Sequence, residues 1–207
     1  MPKIRYYTFW IALALIIVFA LQSFISGFTD ALILNDSSFS EPWRFVTSIF
    51  LHGSLAHLLA NLFALLLFGF ILERIIGSER FLAVYLVSGT LANLIAINFY
   101  SSSLGASGAI MGVIGALAIL RPFMGVWVFG MILPMSIAAV LYVIIDAVGI
   151  FIPSNVGHIA HLSGIAFGII FGIIFRINRI KKERKTHKIK VPEHLLRRWE
   201  TLYMGAD

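Results

Sequence analysis

The sequence predicts an all-α membrane protein: a compact bundle of six transmembrane helices with a long, partly interfacial first loop. Three observations carry that expectation. Of 207 residues, 59% are hydrophobic and only 13% charged, with mean hydropathy +0.94; soluble domains run nearer half apolar and a quarter charged. The excess is gathered into blocks about as long as a bilayer is thick. The basic residues, finally, collect in alternate connections between those blocks.

The blocks lie near residues 8–28, 54–73, 80–99, 107–120, 124–150 and 158–176. The first follows Lys3 and Arg5 as a signal peptide would. Its apolar stretch is too long for an h-region and no A-x-A-like site follows, so it is read as a retained helix. In the loop over 29–53, Trp43, Phe45, Val46, Ile49 and Phe50 suit a short amphipathic segment in the interface, with Trp43 and Arg44 as headgroup-level anchors. The second and third blocks are joined through Arg74 and Arg80, and the fourth and fifth through Arg121. The connections near 100–106 and 151–157 hold no Lys or Arg. Ten of the sixteen Lys and Arg lie from Arg176 onward. Both termini are therefore expected to be cytoplasmic, which demands an even number of spans. Residues 1–176 form the membrane domain in this reading, and 177–207 a basic cytoplasmic tail.

Composition also narrows the chemistry. The chain has no cysteine, which removes disulfides, thiolate metal sites and a thiol nucleophile. The net charge of +6 is placed by its tail, so the expected partner is the bilayer and not nucleic acid. That tail fits either an interfacial helix drawn to anionic lipids or a segment serving a partner. Paired charges or interrupted helices repeated in two halves, as a small transporter would show, are missing.

Polar residues within the apolar blocks are few, and such groups face a bundle interior or a wet cavity. His57 and Asn61 share one face of the second block, with His52 just before it; Asn93 and Asn98 lie in the third, Asp146 late in the fifth, and His158, His161 and Ser163 in the sixth. Ser107 opens the fourth block after the polar run "SSSLGASG" at 101–108. Four of six histidines thus fall at the outer ends of two blocks, on the same side as Ser107. A serine, an imidazole and hydrogen-bond donors on one side are the raw material of acyl transfer. From Ser107 to Leu120 a helix is about 20 Å long against a hydrocarbon core of about 30 Å, which puts Ser107 about 10 Å below the outer surface. Gly108 and Gly112 follow Ser107, and Gly164, Gly168 and Gly172 follow His161, the small-residue spacing that lets membrane helices approach. Four histidines suit zinc, but no accompanying carboxylate is evident from the sequence, so no metal site is expected. Residue 109 is alanine, which disfavours a G-x-S-x-G nucleophile elbow. Asp146 reads as a structural hydrogen-bonding group and Glu73 with Arg74 as structural residues at the cytoplasmic end.

These residues resemble the rhomboid family of intramembrane serine proteases over roughly residues 8–176. "WR" at 43–44 matches the first-loop motif, "HGSLAHLLAN" at 52–61 the second-helix pattern, "GASG" at 105–108 the nucleophile motif, and "AHLSGIAFG" at 160–168 the sixth-helix pattern. The resemblance implies Ser107 as nucleophile and His161 as general base of a dyad. It implies His57 and Asn61, with the Ser107 backbone N–H, as oxyanion donors, and Gly105, Gly108, Gly112, Gly164 and Gly168 as motif and packing positions. His161, unlike His158, has glycines three and seven residues on; His52 and His158 are expected to be structural or at the mouth of the site. Where some members carry an aromatic residue four after the nucleophile, this chain has Met111. No cofactor is implied, and the implied partners are transmembrane protein substrates. A non-catalytic relative that escorts membrane clients is the alternative, but it would be expected to lack Ser107 or His161.

Overall fold

The computed structural model describes residues 3–128, 130–186 and 192–205, without the side chains of residues 179 and 181–186. The remaining residues of the expected basic tail, 187–191 and 206–207, lie outside the described residues. The chain divides into two compact units, residues 1–175 and 176–207.

In the first unit, helix α1 (Tyr7–Phe24) leads into α2 (Phe28–Leu32), a two-residue strand β1 (Leu34–Asn35) and α3 (Arg44–Thr47). Next comes a helical run, α4 (Leu55–Ala64), a π turn over Leu65–Gly69, and α5 (Phe70–Ile76). Helix α6 (Ser78–Ala96), strand β2 (Ser102–Ser103) and α7 (Ser107–Leu120) follow. Strands β3 (Gly125–Val128) and β4 (Met131–Pro134) precede α8 (Met135–Gly149) and α9 (His158–Thr186), whose residues from Arg176 on belong to the second unit. Four helical runs among the described residues are long and apolar enough to cross a membrane: Tyr7–Phe24, Leu55–Ile76, Ser78–Ala96 and His158–Asn178. Helices α7 and α8 are apolar but shorter, at 14 and 15 residues. In the second unit α10 (Glu193–Tyr203) exposes Leu195, Leu196, Trp199, Leu202 and Tyr203, while Glu193 pairs with Arg197 one turn on.

Helix α7 is the axis of the bundle: every residue from Gly108 to Ala118 is buried. Its small residues let neighbours close in, Gly89 of α6 against Ala109 and Ser88 of α6 against Gly112. Leu15, Phe68, Phe81, Tyr85, Ile114 and Leu117 fill the core around it. At one end of the bundle, Glu73 accepts hydrogen bonds from the backbone N–H groups of Tyr7 and Thr8, the Thr8 hydroxyl and the Ser78 hydroxyl at 2.5–2.9 Å. A carboxylate there satisfies donors that the first turn of α1 leaves unpaired.

Two expectations are corrected. The block over 124–150 is not one helix, because its first part is the antiparallel hairpin β3–β4 with Val126 and Val128 buried and Trp127 exposed between them. Alternating β-branched residues, a turn with Gly130 at φ 78° and Pro134, which has no N–H, favour strands over helix there. Arg44 does not face headgroups but is 7% exposed. It pairs with Glu41 and donates to the carbonyls of Asp30 and Ile33, tying the first loop together. Trp43 is exposed, as an interfacial side chain would be.

Candidate active site

Three connections hold the region around Ser107. Strand β1 of the first loop pairs with β2, Leu34 opposite Ser103. The Gly105 N–H donates to Ser48 O at 2.9 Å, and Asn93 of α6 donates to Phe45 O and Ser48 Oγ. Gly105 takes φ +128°, a conformation open mainly to glycine, and the chain then turns into α7 with Ser107 as its first residue. The backbone N–H groups of a first helical turn have no intrahelical acceptor, so they remain available to a developing oxyanion.

His57 and Asn61 reach the same place from α4. Ser54 caps that helix, its hydroxyl accepting from the His57 N–H at 3.1 Å. A Cβ at Gly105 would stand 2.9 Å from His57 Nε2 and 3.8 Å from Ser107 Oγ, so imidazole and hydroxyl flank one point. Asn61 is buried and its amide donates to His57 O at 3.0 Å; the second amide N–H is left for another acceptor. His52 lies behind, its ring 5.0 Å from that of His57, edge on. Neither His52 ring nitrogen has a hydrogen-bond partner among the described residues. Its backbone is clasped by Gln22 of α1 on both sides, N–H and C=O.

His161 arrives on α9. There α7 and α9 approach backbone to backbone: a Cβ at Gly164 would fall 2.0 Å from Gly108 O, and one at Gly168 would fall 1.9 Å from Gly112 O. Gly108, adjacent to Ser107, faces Ala160, adjacent to His161. His57 and His161 lie within electrostatic range of each other. No hydrogen bond joins Ser107 to His161 in this arrangement among the described residues; such bonds commonly tighten only when substrate binds.

Asp146, read from sequence as a structural hydrogen-bonding group, meets the two histidines of α9. Asp146 of α8, 4% exposed, accepts on one oxygen, Oδ1, from His161 Nδ1 at 2.9 Å and from His158 Nδ1 at 2.7 Å. The two histidines are three apart on α9, and Asp146 and Gly149 three apart on α8, so each set shares a face. A Cβ at Gly149 would strike the His158 ring, and only glycine lets that ring lie on α8. His158 Nε2 meets the Ser154 hydroxyl at 3.0 Å, while no described side chain takes His161 Nε2. Hidden in the sequence was the meeting of these two short-spaced pairs across a twelve-residue separation. Asp146, His158 and His161 are also near enough to hold a metal ion, so the premise that no carboxylate accompanies the histidines does not hold. Both Nδ1 atoms, however, are spent on the carboxylate oxygen, a set that hydrogen bonding already satisfies.

A separate cavity of about 640 Å³ opens at the other end of α7, between Arg74, Arg121 and apolar side chains including Ile75 and Phe123. It touches none of these residues.

Residues 40–178 match the family model described as "Rhomboid domain". Among known proteins, the chain is 37% identical over 131 residues to "Rhomboid protease GluP" of Bacillus subtilis (strain 168), covering 62% of this chain and 25% of that one. It is 31% identical over 131 residues to "RHOMBOID-like protein 6, mitochondrial" of Arabidopsis thaliana, covering 62% and 42%. It is 37% identical over 138 residues to "Presenilin-associated rhomboid-like protein, mitochondrial" of Rattus norvegicus, covering 59% and 35%. The matched part thus spans less than half the length of each of these relatives.

Proposed function

The chain belongs to the rhomboid family of integral membrane proteins, and from that premise we propose that it is an intramembrane serine endopeptidase that cleaves membrane proteins in or near their transmembrane segments. One observation carries the reading: Gly108 and Ala160, the neighbours of Ser107 and His161, face each other where α7 and α9 meet backbone to backbone, with His57 alongside. Ser107 attacks the scissile carbonyl as His161 Nε2 takes its proton. The oxyanion is held by the Ser107 N–H, the His57 ring and the free N–H of Asn61. His161 then protonates the leaving amine, and water releases the acyl group.

All six long and short apolar helices cross the bilayer in this reading, both termini are cytoplasmic and the site opens to the outer face. The brevity of α7 supports a sunken serine: at about 1.5 Å per residue its 14 residues cannot span about 30 Å of hydrocarbon. A substrate helix must unwind locally, since helical peptide bonds are shielded by their own hydrogen bonds.

The test is cleavage of a labelled single-span protein by the purified chain in detergent. Wild type is expected to give a defined product, and Ser107→Ala and His161→Ala none, with folding intact. Undiminished cleavage by Ser107→Ala would refute the assignment.

A further inference from the structure

We propose that Asp146 is a positioning residue for the base, which makes the site a serine–histidine–carboxylate relay assembled from α7, α9 and α8. The inference rests on the protease reading above. Asp146 Oδ1 lies 2.9 Å from His161 Nδ1. A carboxylate accepts hydrogen bonds and an imidazole nitrogen bonded to it carries the proton, so His161 is held as its Nδ1–H tautomer. Its Nε2 then keeps a lone pair, the one feature a general base facing Ser107 must have. When the proton leaves Ser107 Oγ for His161 Nε2, the ring becomes a cation beside the Asp146 anion. The carboxylate takes no proton itself; its charge offsets the one formed.

His158 completes the arrangement from the other side. Its Nδ1 donates to the same oxygen at 2.7 Å and its Nε2 meets the Ser154 hydroxyl at 3.0 Å. The run Ser154 → His158 → Asp146 ← His161 is satisfied at every named atom with both rings neutral and Asp146 ionised, each arrow pointing from donor to acceptor. His158 thereby fixes the carboxylate's rotamer, and with its second nitrogen engaged it is not the base. A purely structural role for Asp146 would need only the His158 bond. The second bond, to the ring that the protease reading makes the base, assigns it to the reaction.

The experiment compares full-length wild type, Asp146→Asn and Ser107→Ala in detergent. It measures cleavage of a labelled single-span protein, labelling by a fluorophosphonate probe, and the ¹⁵N shifts of His161, assigned through His161→Ala. Replacing a relay carboxylate by its amide drops kcat by on the order of 10⁴ in serine proteases. Asp146→Asn is therefore expected to lose about 10²–10⁴-fold in kcat and in probe labelling, with KM little changed. Wild-type His161 should show a protonated Nδ1 and an unprotonated Nε2. Cleavage by folded Asp146→Asn within threefold of wild type would overturn the proposal. So would an Nε2–H tautomer of His161 in wild type, a result that decides even if Asp146→Asn fails to fold. If wild type and Ser107→Ala are equally unlabelled and inactive, the protease reading itself falls, an outcome separate from either of these.

Discussion

Gly168→Ala should damage both stability and activity, although it adds a single methyl group two helical turns beyond His161. The new Cβ would stand 1.9 Å from the carbonyl oxygen of Gly112. Carbon–oxygen contacts between packed backbones settle near 3.3 Å or beyond, so α9 must retreat from α7 by about 1.4 Å. Neither helix can yield by a rotamer change, because backbone meets backbone. Overpacking of this kind costs about 1–3 kcal/mol, which lowers the thermal midpoint by several degrees. The same retreat carries His161 away from Ser107, and a misplacement of about 1 Å costs on the order of 10²-fold in rate. Gly172→Ala is the control: its nearest neighbours would be Ile119 Cβ at 2.8 Å and Ala116 O at 3.0 Å. There carbon–carbon contact near 3.5 Å asks for a shift of about 0.7 Å, half that at Gly168, so activity should fall less than in Gly168→Ala. Thermal unfolding in detergent and single-span substrate cleavage read the two effects. If Gly168→Ala kept both the midpoint and the rate of wild type, the close crossing would not be what aligns the site.

Two further outcomes follow from groups that burial makes demanding. Glu73→Gln keeps the shape but turns an NH₂ toward two donors, those of Thr8 or those of Tyr7 and Ser78, which should cost about 2–4 kcal/mol in unsatisfied hydrogen bonds; a thermal midpoint within a degree of wild type would contradict it. His52 has its pKa pushed down to about 4 by burial, with the nearby His57 adding to the effect. The unfolded chain binds the proton near pH 6.5 and the folded chain does not, so stability present above pH 6.5 is lost as pH falls toward 4, by about 3 kcal/mol in all. His52→Gln should flatten that part of a stability-against-pH curve, and a slope unchanged by the substitution would remove His52 as its source.

Local signals were readable and distant pairings were not. Ser107 opens α7 and Leu120 ends it, as the jump from "SSSLGASG" to an apolar run requires. His57 and Asn61, and the glycines after Ser107 and His161, were legible through helical spacing alone. Arg44 was misread because a charged residue in a membrane-side loop suggests headgroups, whereas its partners are Glu41 and two carbonyls eleven and fourteen residues back. The hairpin before α8 was hidden by apolar composition, which strands and helices share. Asp146 was seen, but its meeting with His158 and His161 depends on the angle at which α8 meets α9, and no periodicity in a single helix encodes that angle. The four motifs identified the family; they did not contain the carboxylate.

The π turn over Leu65–Gly69 sits midway between the two working ends of its helical run, His57 and Asn61 on one side and Glu73 on the other. Such a turn admits one residue more than an α-helical ladder would. Beyond it the sequence slips by one position in phase, about 100° at 3.6 residues per turn. A helical wheel drawn straight through from Leu55 therefore assigns the later residues to the wrong faces, Glu73 among them. It also means that the angular setting of the end beside Ser107 is independent of the setting that closes the start of α1. Excising a single residue from the turn would force both ends onto one ladder, so that only one of them kept its proper heading.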